Sequence, residues 1–576
     1  MDAGPRATAL VVLLALGVFG GLARRQYESL SPLQRTWFPM FLRSSLAAAV
    51  RLDPLAYTLK GQTAPRDNAA VRDYLAGTIY DGHSLWWLFL ESLSVGGALL
   101  LLVIPALRAD RRRGTARRQG RYIKGARLVD ATAFNRAVRP RRWQRGFRRD
   151  AAGMRLRQHG APTLILPRAI EHSHTLMVGD TGVGKSTLIH AHCEAAERRG
   201  ETCVIYDADG EYAQTWYRPD RGDVILNPGD LRTAAWDSAD EIRDPLEALS
   251  LATSMIPRNA VETNPFFTNS ARTVFAYLLT LKQSPQQLVE WLTDSRRLMD
   301  LLRGTTIQDV VPIDAAQQRS GVMAPLNMVA VTLALCPTIA ECGGHTWSAA
   351  SWAESRTGWV FISGTPTTRE QLRPLHTLWF DAIILRVMAR RGPHTKLIFD
   401  EVASLQKLWQ LHTALAEGRK HHLSVVLGFQ GYAQLEEIYG RQAETMLSQP
   451  AAKYVLRVAD ATSAERAAKT IGSAEMERIE ESRQEGWRRS GASFSLRRAP
   501  ELLFMDSEIQ GLADLRGILK VRNVVTTLQI PRVHRPSRAP ALVPRPPRQP
   551  PTMPAPPPDP APRDQDREPS VAQRLE

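Results

Sequence analysis

The chain has 576 residues, a formal net charge of +16 and a pI near 10. This length allows several domains and a large core, and the positive charge favours an anionic partner, either nucleic acid or acidic lipid. The four cysteines form no C-x-x-C pair, which argues against a disulfide framework and a structural zinc site and predicts a mainly cytosolic chain.

Two apolar stretches near the N-terminus predict membrane-spanning helices. Residues 7–23, ATALVVLLALGVFGGLA, are uncharged over 17 residues, with a cleaved signal peptide as the alternative. Residues 85–107, LWWLFLESLSVGGALLLLVIPAL, are 23 residues long and begin near a tryptophan pair typical of the membrane interface. Glu91 lies within the second stretch, and we place it near the lipid headgroups rather than against a partner helix.

A strongly basic stretch follows the second apolar stretch. Residues 108–149 contain 16 Lys or Arg and only two acids, so this side is predicted to be cytoplasmic. Residues 24–83 then form a small outer loop in a two-pass protein. The basic residues bind either lipid headgroups or nucleic acid, and their position next to the membrane favours lipid.

Residues 178–188, VGDTGVGKSTL, contain the full pattern G-x-x-x-x-G-K-[ST] of a phosphate-binding loop. A short apolar run precedes the pattern and a helix-like segment follows it, as the motif requires. Glycines let backbone N–H groups face phosphates, Lys185 supplies a positive charge, and Ser186 offers a hydroxyl to Mg²⁺. The predicted nucleotide-binding residues are Gly179, Asp180, Thr181, Gly182, Val183, Gly184, Lys185, Ser186 and Thr187.

Further apolar segments, rich in Val, Ile and Leu, predict strands that alternate with amphipathic helices. These segments are 202–207, 223–227, 358–364, 396–400, 423–430 and 452–458. The pattern is typical of an α/β fold with a mainly parallel sheet covered on both faces. Between 283 and 345 only helical periodicity is found, which predicts an inserted all-α domain. From about residue 533 the Pro-rich composition predicts a disordered tail.

Four polar residues after the predicted strands are candidates for catalysis. Asp400 and Glu401 end the segment KLIFDE, where the first can hold Mg²⁺ and the second can orient the attacking water. Gln430 either senses the γ-phosphate or is an ordinary loop amide. Arg419 either reaches a nucleotide across a subunit interface or is a solvated charge at a helix end. The acidic segment 206–212 lies near the expected site or forms a turn.

The order and spacing of these segments resemble the TraD/TrwB-type coupling proteins of conjugative type IV secretion, from the membrane segments to about residue 530. The resemblance rests on RYIKGARLVD, HTLMVGDTGVGKST, VIYDADGEY, DVILNPGDLRTAAWD, NPFFTNSARTVFAYLL, LIFDEVASL and EGRKHHLSVVLGFQGYAQLEEIYG. It implies a RecA-like P-loop ATPase that forms a homo-hexamer at the bacterial inner membrane, with ATP and Mg²⁺ as cofactors. The implied partners are single-stranded DNA, the relaxase or relaxosome, and components of the secretion channel.

The family pattern also assigns roles to residues of this chain. It implies that Lys185 and its loop bind ATP, that Ser186 and Asp400 hold Mg²⁺, and that Glu401 is the catalytic carboxylate. The glutamine of the third motif falls on Gln430, and an arginine after the second acidic motif falls on Arg419. Family members often carry an acidic tail that recruits the relaxosome, whereas this tail is Pro-rich and of mixed charge.

The predicted domains follow from these assignments. They are a membrane anchor at 1–107, a basic juxtamembrane linker that leads into the NTPase domain at 108–169, NTPase segments at 170–282 and 346–532, the all-α domain at 283–345, and the tail at 533–576. Two other functions fit part of the pattern: an FtsK/HerA-like DNA translocase, and a docking receptor for secreted protein that uses nucleotide only to set its conformation. An ABC-type transporter is disfavoured, since the sequence has no LSGGQ-like signature.

Overall fold

The computed structural model describes residues 6–59, 61–101, 104, 121–139, 153–258, 265–311, 315–486 and 489–546. Residues 108–120 and 140–152 of the predicted basic linker, the last residues of the second predicted span and the end of the tail lie outside this part of the chain. The chain divides into two compact units, the first within residues 1–124 and 474–501 and the second within 125–473 and 502–576.

The strands of both units are numbered along the chain. They are β1 Leu55–Leu59, β2 Gln62–Arg66, β3 Arg121–Gly125, β4 Arg127–Leu128, β5 Met154–Leu156, β6 Leu164–Leu166, β7 Thr175–Val178, β8 Thr202–Asp207, β9 Val224–Leu226, β10 Ala235–Trp236, β11 Thr346–Trp347, β12 Val360–Ser363, β13 Thr395–Phe399, β14 Leu423–Phe429, β15 Ala452–Val455, β16 Ser473–Gly486, β17 Arg489–Leu502, β18 Arg516–Val521 and β19 Val524–Gln529.

The helices are numbered in the same way. They are α1 Arg6–Glu28, α2 Pro32–Ala49, α3 Asn68–Ile79, α4 Leu85–Leu88, α5 Leu90–Leu101, α6 Ala131–Val138, α7 Arg168–Glu171, α8 Lys185–Arg199, α9 Glu211–Trp216, α10 Ser238–Glu241, α11 Pro245–Met255, α12 Phe266–Thr280, α13 Pro285–Thr293, α14 Ser295–Leu302, α15 Ala316–Ala334, α16 Ala349–Ser355, α17 Arg369–Ala389, α18 Leu411–Glu417, α19 Tyr432–Tyr439, α20 Gln442–Ser448, α21 Ala461–Ile471 and α22 Asp506–Gln510.

The first unit contains a small folded region where the sequence predicts an outer loop. Helices α2 and α3 pack on each other, and β1 and β2 form an antiparallel hairpin. The region has its own core, made of Phe41, Tyr57, Val71, Leu75 and Tyr80. Residues 24–83 are therefore more ordered than the predicted loop, because a few large side chains bury each other. The same unit contains a three-stranded sheet in the order β17-β16-β3.

The two predicted membrane spans correspond to α1 and to α4 with α5. In the described part of the chain, no helix combines the length and the apolar composition needed to cross a membrane. The two spans therefore stay predictions.

The second unit is built on a ten-stranded sheet in the order β4-β19-β18-β15-β7-β14-β13-β8-β12-β9. From β15 to β9 every pair of neighbours is parallel, whereas β18 is antiparallel to both β15 and β19. The predicted mainly parallel α/β sheet is confirmed. The predicted strand segments correspond to β8, β9, β12, β13, β14 and β15, with ends that differ by a few residues.

Helices cover both faces of this sheet, as strand β8 shows. Val204 and Tyr206 belong to one hydrophobic core, and Cys203 and Ile205 belong to another. Successive residues of a strand point to opposite faces, so an uninterrupted apolar strand has both faces buried. Burial on both faces explains why the strand segments are continuous apolar runs in the sequence.

The region between β10 and β11 is helical. These two short strands pair in parallel, and every described element between them is a helix. Leucines and valines spaced three or four residues apart in α13, α14 and α15 belong to one hydrophobic core, which is why the sequence of this region has helical periodicity. The helical stretch begins at Ser238. The boundaries 283 and 345 of a separate all-α domain stay a prediction.

Residues 533–546, here called the C-terminal strap, lie along the second unit. Leu231 donates its backbone N–H to the Val543 carbonyl at 2.8 Å, and Arg538 donates its backbone N–H to the Gln214 carbonyl at 2.8 Å. The prediction of disorder from residue 533 is wrong for the strap. Its composition is Pro-rich, but its backbone groups pair with groups of the folded domain, which composition alone does not reveal.

Candidate functional site

The predicted phosphate-binding loop lies at the carboxyl edge of the central sheet. Strand β7 is flanked by β14 and β15, and the loop joins the end of β7 to the start of α8. Parallel neighbours end at the same edge, so the segments after β8, β13 and β14 lie on the same side as the loop. Ligands of open α/β sheets bind at this edge.

Two glycines of the loop are required by its geometry. Gly184 has φ +114°, a conformation that side chains strongly disfavour, and directly precedes α8. A Cβ on Gly179 would lie 2.7 Å from Cβ of Leu456, which follows β15. Asp180 fixes the loop to the same segment, since its carboxylate accepts the backbone N–H of Ala459 at 2.9 Å. Contacts within the chain therefore define the shape of the loop.

The other loop residues differ in their exposure. Thr181 and Gly182 are exposed, Val183 is buried, and Ser186 and Thr187 are half-buried in the first turn of α8. The start of a helix offers free backbone N–H groups, which favour a phosphate.

Lys185 is held inside its own loop. The side chain is only 8% exposed, and Nζ donates to the carbonyl oxygens of Gly179 at 2.5 Å and Asp180 at 2.9 Å. Burial lowers the pKa of this ammonium, while the carboxylates of Glu401 and Asp400 act in the opposite direction. The charge is thus positioned beside the acidic pair and at the place where a phosphate would lie.

The acidic pair follows the fully buried strand β13. Burial raises the pKa of Glu401 to about 7 and also raises the pKa of Asp400. Both carboxylate oxygens of Glu401 are buried, and neither accepts a hydrogen bond of good geometry within the described residues. Such a carboxylate is free to bind and polarise a water molecule.

Gln430 and Glu401 lie side by side. Gln430 follows β14, the strand between β7 and β13, and its amide helps to lower the pKa of Glu401 against the effect of burial. The structure therefore brings Lys185, Asp400, Glu401 and Gln430 together at one edge of the sheet.

Tyr212 is a site residue that the sequence did not single out. Its buried hydroxyl lies beside Ser186 and Asp400, and its pKa is raised well above the usual value, mainly by burial. The neighbouring Asp207 ends β8 and accepts the backbone N–H of Ala213 at 2.7 Å, and burial raises its pKa to about 7. The sequence clue to Tyr212 is its position at the end of YDADGEY, directly after the acidic residues that we placed near the site.

A histidine fixes the helix that carries Tyr212. Trp216 donates its indole N–H to Nδ1 of His190 at 2.9 Å, so Nε2 of His190 carries the proton and donates to Glu211 at 3.2 Å. His190 belongs to α8, and the other two residues belong to α9. The helix after the phosphate loop and the helix after β8 are therefore joined by polar contacts.

The oxygen groups beside the loop fit a hard divalent cation. The Ser186 hydroxyl and the Asp400 carboxylate both lie next to the Tyr212 hydroxyl, which is buried and has no well-formed hydrogen bond in the described part of the chain. Hydroxyl and carboxylate oxygens are ligands that Mg²⁺ accepts, usually with several waters and phosphate oxygens.

Arg419 lies apart from these residues. It belongs to the short 3-10 helix Gly418–His421, which precedes β14, and is exposed. His174, which precedes β7, has a pKa of about 4, lowered mainly by burial and further by the Arg419 charge. Both residues mark the amino edge of the sheet. The structure therefore does not bring Arg419 to Lys185 of the same chain.

The central parallel strand, the phosphate loop and the acid pair define a P-loop NTPase domain of RecA-like fold. A family profile described as the type IV secretion-system coupling protein DNA-binding domain matches residues 159–531. The chain belongs to this family of coupling proteins.

Individual relatives agree with this assignment. The chain is 30% identical over 406 residues to the coupling protein TraD of Escherichia coli (strain K12), covering 66% of this chain and 56% of TraD. It therefore spans only about half the length of this relative. The unbound bacterial conjugative coupling protein TrwBdeltaN70 is 26% identical, with a TM-score of 0.63, covering 74% of this chain and 96% of that one. The predicted TraD/TrwB-type resemblance is confirmed.

A nucleotide complex has the same fold. The structure of plasmid coupling protein TrwB with ADP and Mg²⁺ is also 26% identical, with a TM-score of 0.61, covering 74% of this chain and 98% of that one.

Proposed function

We propose that this chain is an ATPase of a conjugative type IV secretion apparatus, which couples a relaxase–DNA complex to the secretion channel and uses ATP to move single-stranded DNA. The observation that carries the proposal is the meeting of Lys185, Asp400 and Glu401 at the carboxyl edge of one parallel sheet. A protein that only docks its partners has no need of a carboxylate with buried oxygens beside a phosphate loop.

The cofactors of the proposed reaction are ATP and Mg²⁺. TrwB is known in complexes with ADP and Mg²⁺ and with a non-hydrolysable ATP analogue. In this chain, residues Gly179 to Thr187 would hold the phosphates, and Ser186 and Asp400 would hold the metal. When bound, Mg²⁺ neutralises charge on the phosphate oxygens.

Each catalytic residue has a role that its position supports. Lys185 exchanges its hydrogen bonds to the loop carbonyls for phosphate oxygens and stabilises their negative charge. Glu401 orients a water molecule and accepts its proton, as a carboxylate with a pKa near 7 can do at neutral pH. Gln430 contacts Glu401 and passes the state of the nucleotide to the rest of the sheet.

The assembly of the protein is part of the same proposal. Arg419 lies at the amino edge of the central sheet, away from Lys185 of its own chain. We infer that it completes the nucleotide site of a neighbouring subunit in a homo-hexameric ring. The protein would be held at the bacterial inner membrane by the segments around α1 and α5, with its ATPase domain in the cytoplasm. Exposed leucines on α1, among them Leu10 and Leu13, fit contact with lipid.

Steady-state ATP hydrolysis by the full chain in detergent tests the proposal, measured with and without single-stranded DNA at low and moderate salt. We expect hydrolysis that DNA stimulates, that salt weakens and that Glu401→Gln abolishes. Nucleotide binding without turnover, or turnover indifferent to DNA, would instead support the docking receptor.

A further inference from the structure

A cavity of about 690 Å³ lies beside Glu401 and Gln430. Its other walls are the segment that follows α11, Arg373 of α17, residues 403–407 and the end of α19. Lys185 and its loop do not line it. The cavity therefore reaches the catalytic carboxylate from a side that the phosphate loop does not occupy.

Two cations on the wall of this cavity have no carboxylate partner among the described residues. Arg258 and Lys407 both pack over the ring of Trp409, with Cζ of Arg258 at 5.8 Å and Nζ of Lys407 at 4.5 Å from the ring centroid. The aromatic ring holds both charges in one place without neutralising them. Two such cations at the edge of a cavity favour an anionic occupant.

The ring that supports the two cations is itself fixed. The carboxylate of Asp381, fully buried in α17, accepts the backbone N–H groups of Trp409 at 3.2 Å and Gln410 at 3.0 Å. It also accepts the hydroxyl of Ser254 at 2.6 Å. Because the backbone at Trp409 is held from the core, the cations above the ring are positioned in advance.

A third cation joins the cavity to the catalytic segment. Arg373 donates to the carbonyl oxygens of Ser404 at 3.1 Å and Ala403 at 3.4 Å, two residues that lie within three positions of Glu401 in the chain. It also pairs with Glu370 at 3.3 Å. Any ligand that contacts Arg373 therefore acts on the segment that carries the catalytic carboxylate.

The remaining polar groups of the lining are compatible with a phosphodiester. Besides Glu401, the one carboxylate in the lining is Glu437, and three amides, Gln406, Gln430 and Gln434, offer N–H donors. Arginine, lysine and amide groups are the donors that proteins use on phosphate oxygens.

We propose that this cavity, with Arg258, Lys407 and Arg373 on its wall, binds the backbone of single-stranded DNA next to Glu401. This inference rests on the proposed function and names the place where bound DNA would stimulate ATP hydrolysis. Binding through phosphates makes the contact independent of base sequence. A strand in the cavity touches residues on both sides of the catalytic carboxylate, so its arrival changes the position of Glu401 and stimulates turnover.

The test compares the full chain with Lys407→Met and Arg258→Gln, and with Lys469→Met as a matched control. Lys469 is an exposed cation paired with Glu465 outside the cavity. Fluorescence anisotropy with labelled oligothymidine gives the Kd at several salt concentrations, and ATP hydrolysis is measured in parallel. For each cavity variant we expect a Kd raised about tenfold, a salt slope reduced by about one, and weaker stimulation by DNA.

Wild-type Kd and salt slope in both cavity variants would overturn the proposed site, as would an equal loss in Lys469→Met. A changed oligomeric mass with unchanged DNA affinity would also overturn it and assign the cavity to a protein contact. If the wild-type chain itself does not bind oligothymidine, the proposed function fails as well. Arg258 is exposed, so Arg258→Gln keeps the test decisive if Lys407→Met does not fold.

Discussion

Gly428 of β14 packs directly against the backbone of Asp400. A Cβ on Gly428 would lie 2.3 Å from the carbonyl oxygen of Asp400 and 2.8 Å from that of Phe399. Both distances are far below van der Waals contact, so only glycine fits here without a shift of the chain. The acid pair lies where it does because the neighbouring strand has no side chain at this point.

Gly428→Ala should therefore impair hydrolysis by moving Asp400 and Glu401 away from Lys185. We expect kcat to fall at least about tenfold, which corresponds to about 1.4 kcal/mol in the activation barrier. The matched control is Gly364→Ala, whose Cβ would meet its nearest neighbour, His376, at an ordinary 3.5 Å. Steady-state kinetics of both variants check the prediction, and equal kcat values for Gly428→Ala and wild type would contradict it.

Lys185→Ala should abolish turnover and leave the fold intact. The lysine is the one cation that we place between the loop and the acid pair, and its removal leaves only backbone hydrogen bonds to the phosphates. Hydrolysis and thermal unfolding are measured together. A Lys185→Ala protein that hydrolyses ATP at the normal rate would disprove the assigned site.

His376 should make stability depend on pH. It is fully buried on α17, where burial lowers its pKa to about 3, below the value of about 6.5 expected in the unfolded chain. Between these values the unfolded chain binds more protons, so this contribution to stability is lost as the pH falls below 6.5. Replacing His376 by Gln removes the titration.

The free energy of unfolding should therefore differ most between wild type and His376→Gln near pH 7. By pH 5 the difference should shrink by about 2 kcal/mol, since each pH unit below 6.5 contributes about 1.4 kcal/mol. Urea unfolding of both proteins at the two pH values measures this. A difference that stays constant with pH would show that His376 does not titrate on unfolding.

The C-terminal strap should protect backbone amides of the NTPase domain from solvent exchange. The Leu231 N–H donates to the Val543 carbonyl, so a chain that ends at residue 532 leaves this amide without its partner. We expect faster hydrogen exchange at Leu231 in that variant, measured by mass spectrometry. A chain that ends at residue 546 keeps the strap and serves as the control. Unchanged exchange after removal of the strap would mean that it is not bound in solution.

The sequence predicted most of the sheet and the acid pair, because both depend on local patterns. The run before Asp400 is apolar on both faces, and the glycine pattern before Lys185 tolerates few alternatives. Tyr212 was missed, because a tyrosine after the acids of YDADGEY is brought beside Asp400 only by the pairing of β8 with β13. The strap was missed for a similar reason: its partners are residues hundreds of positions earlier in the chain.

Lys185 and Arg419 lie at opposite edges of one sheet. If the Arg419 of one chain completes the site of the next chain in a ring, the contact between neighbouring chains is head to tail. Each working site is then shared by two chains. Subunits with Lys185→Ala and subunits with Arg419→Ala, each inactive alone, would recover hydrolysis when mixed, because some sites would pair the intact lysine of one chain with the intact arginine of another.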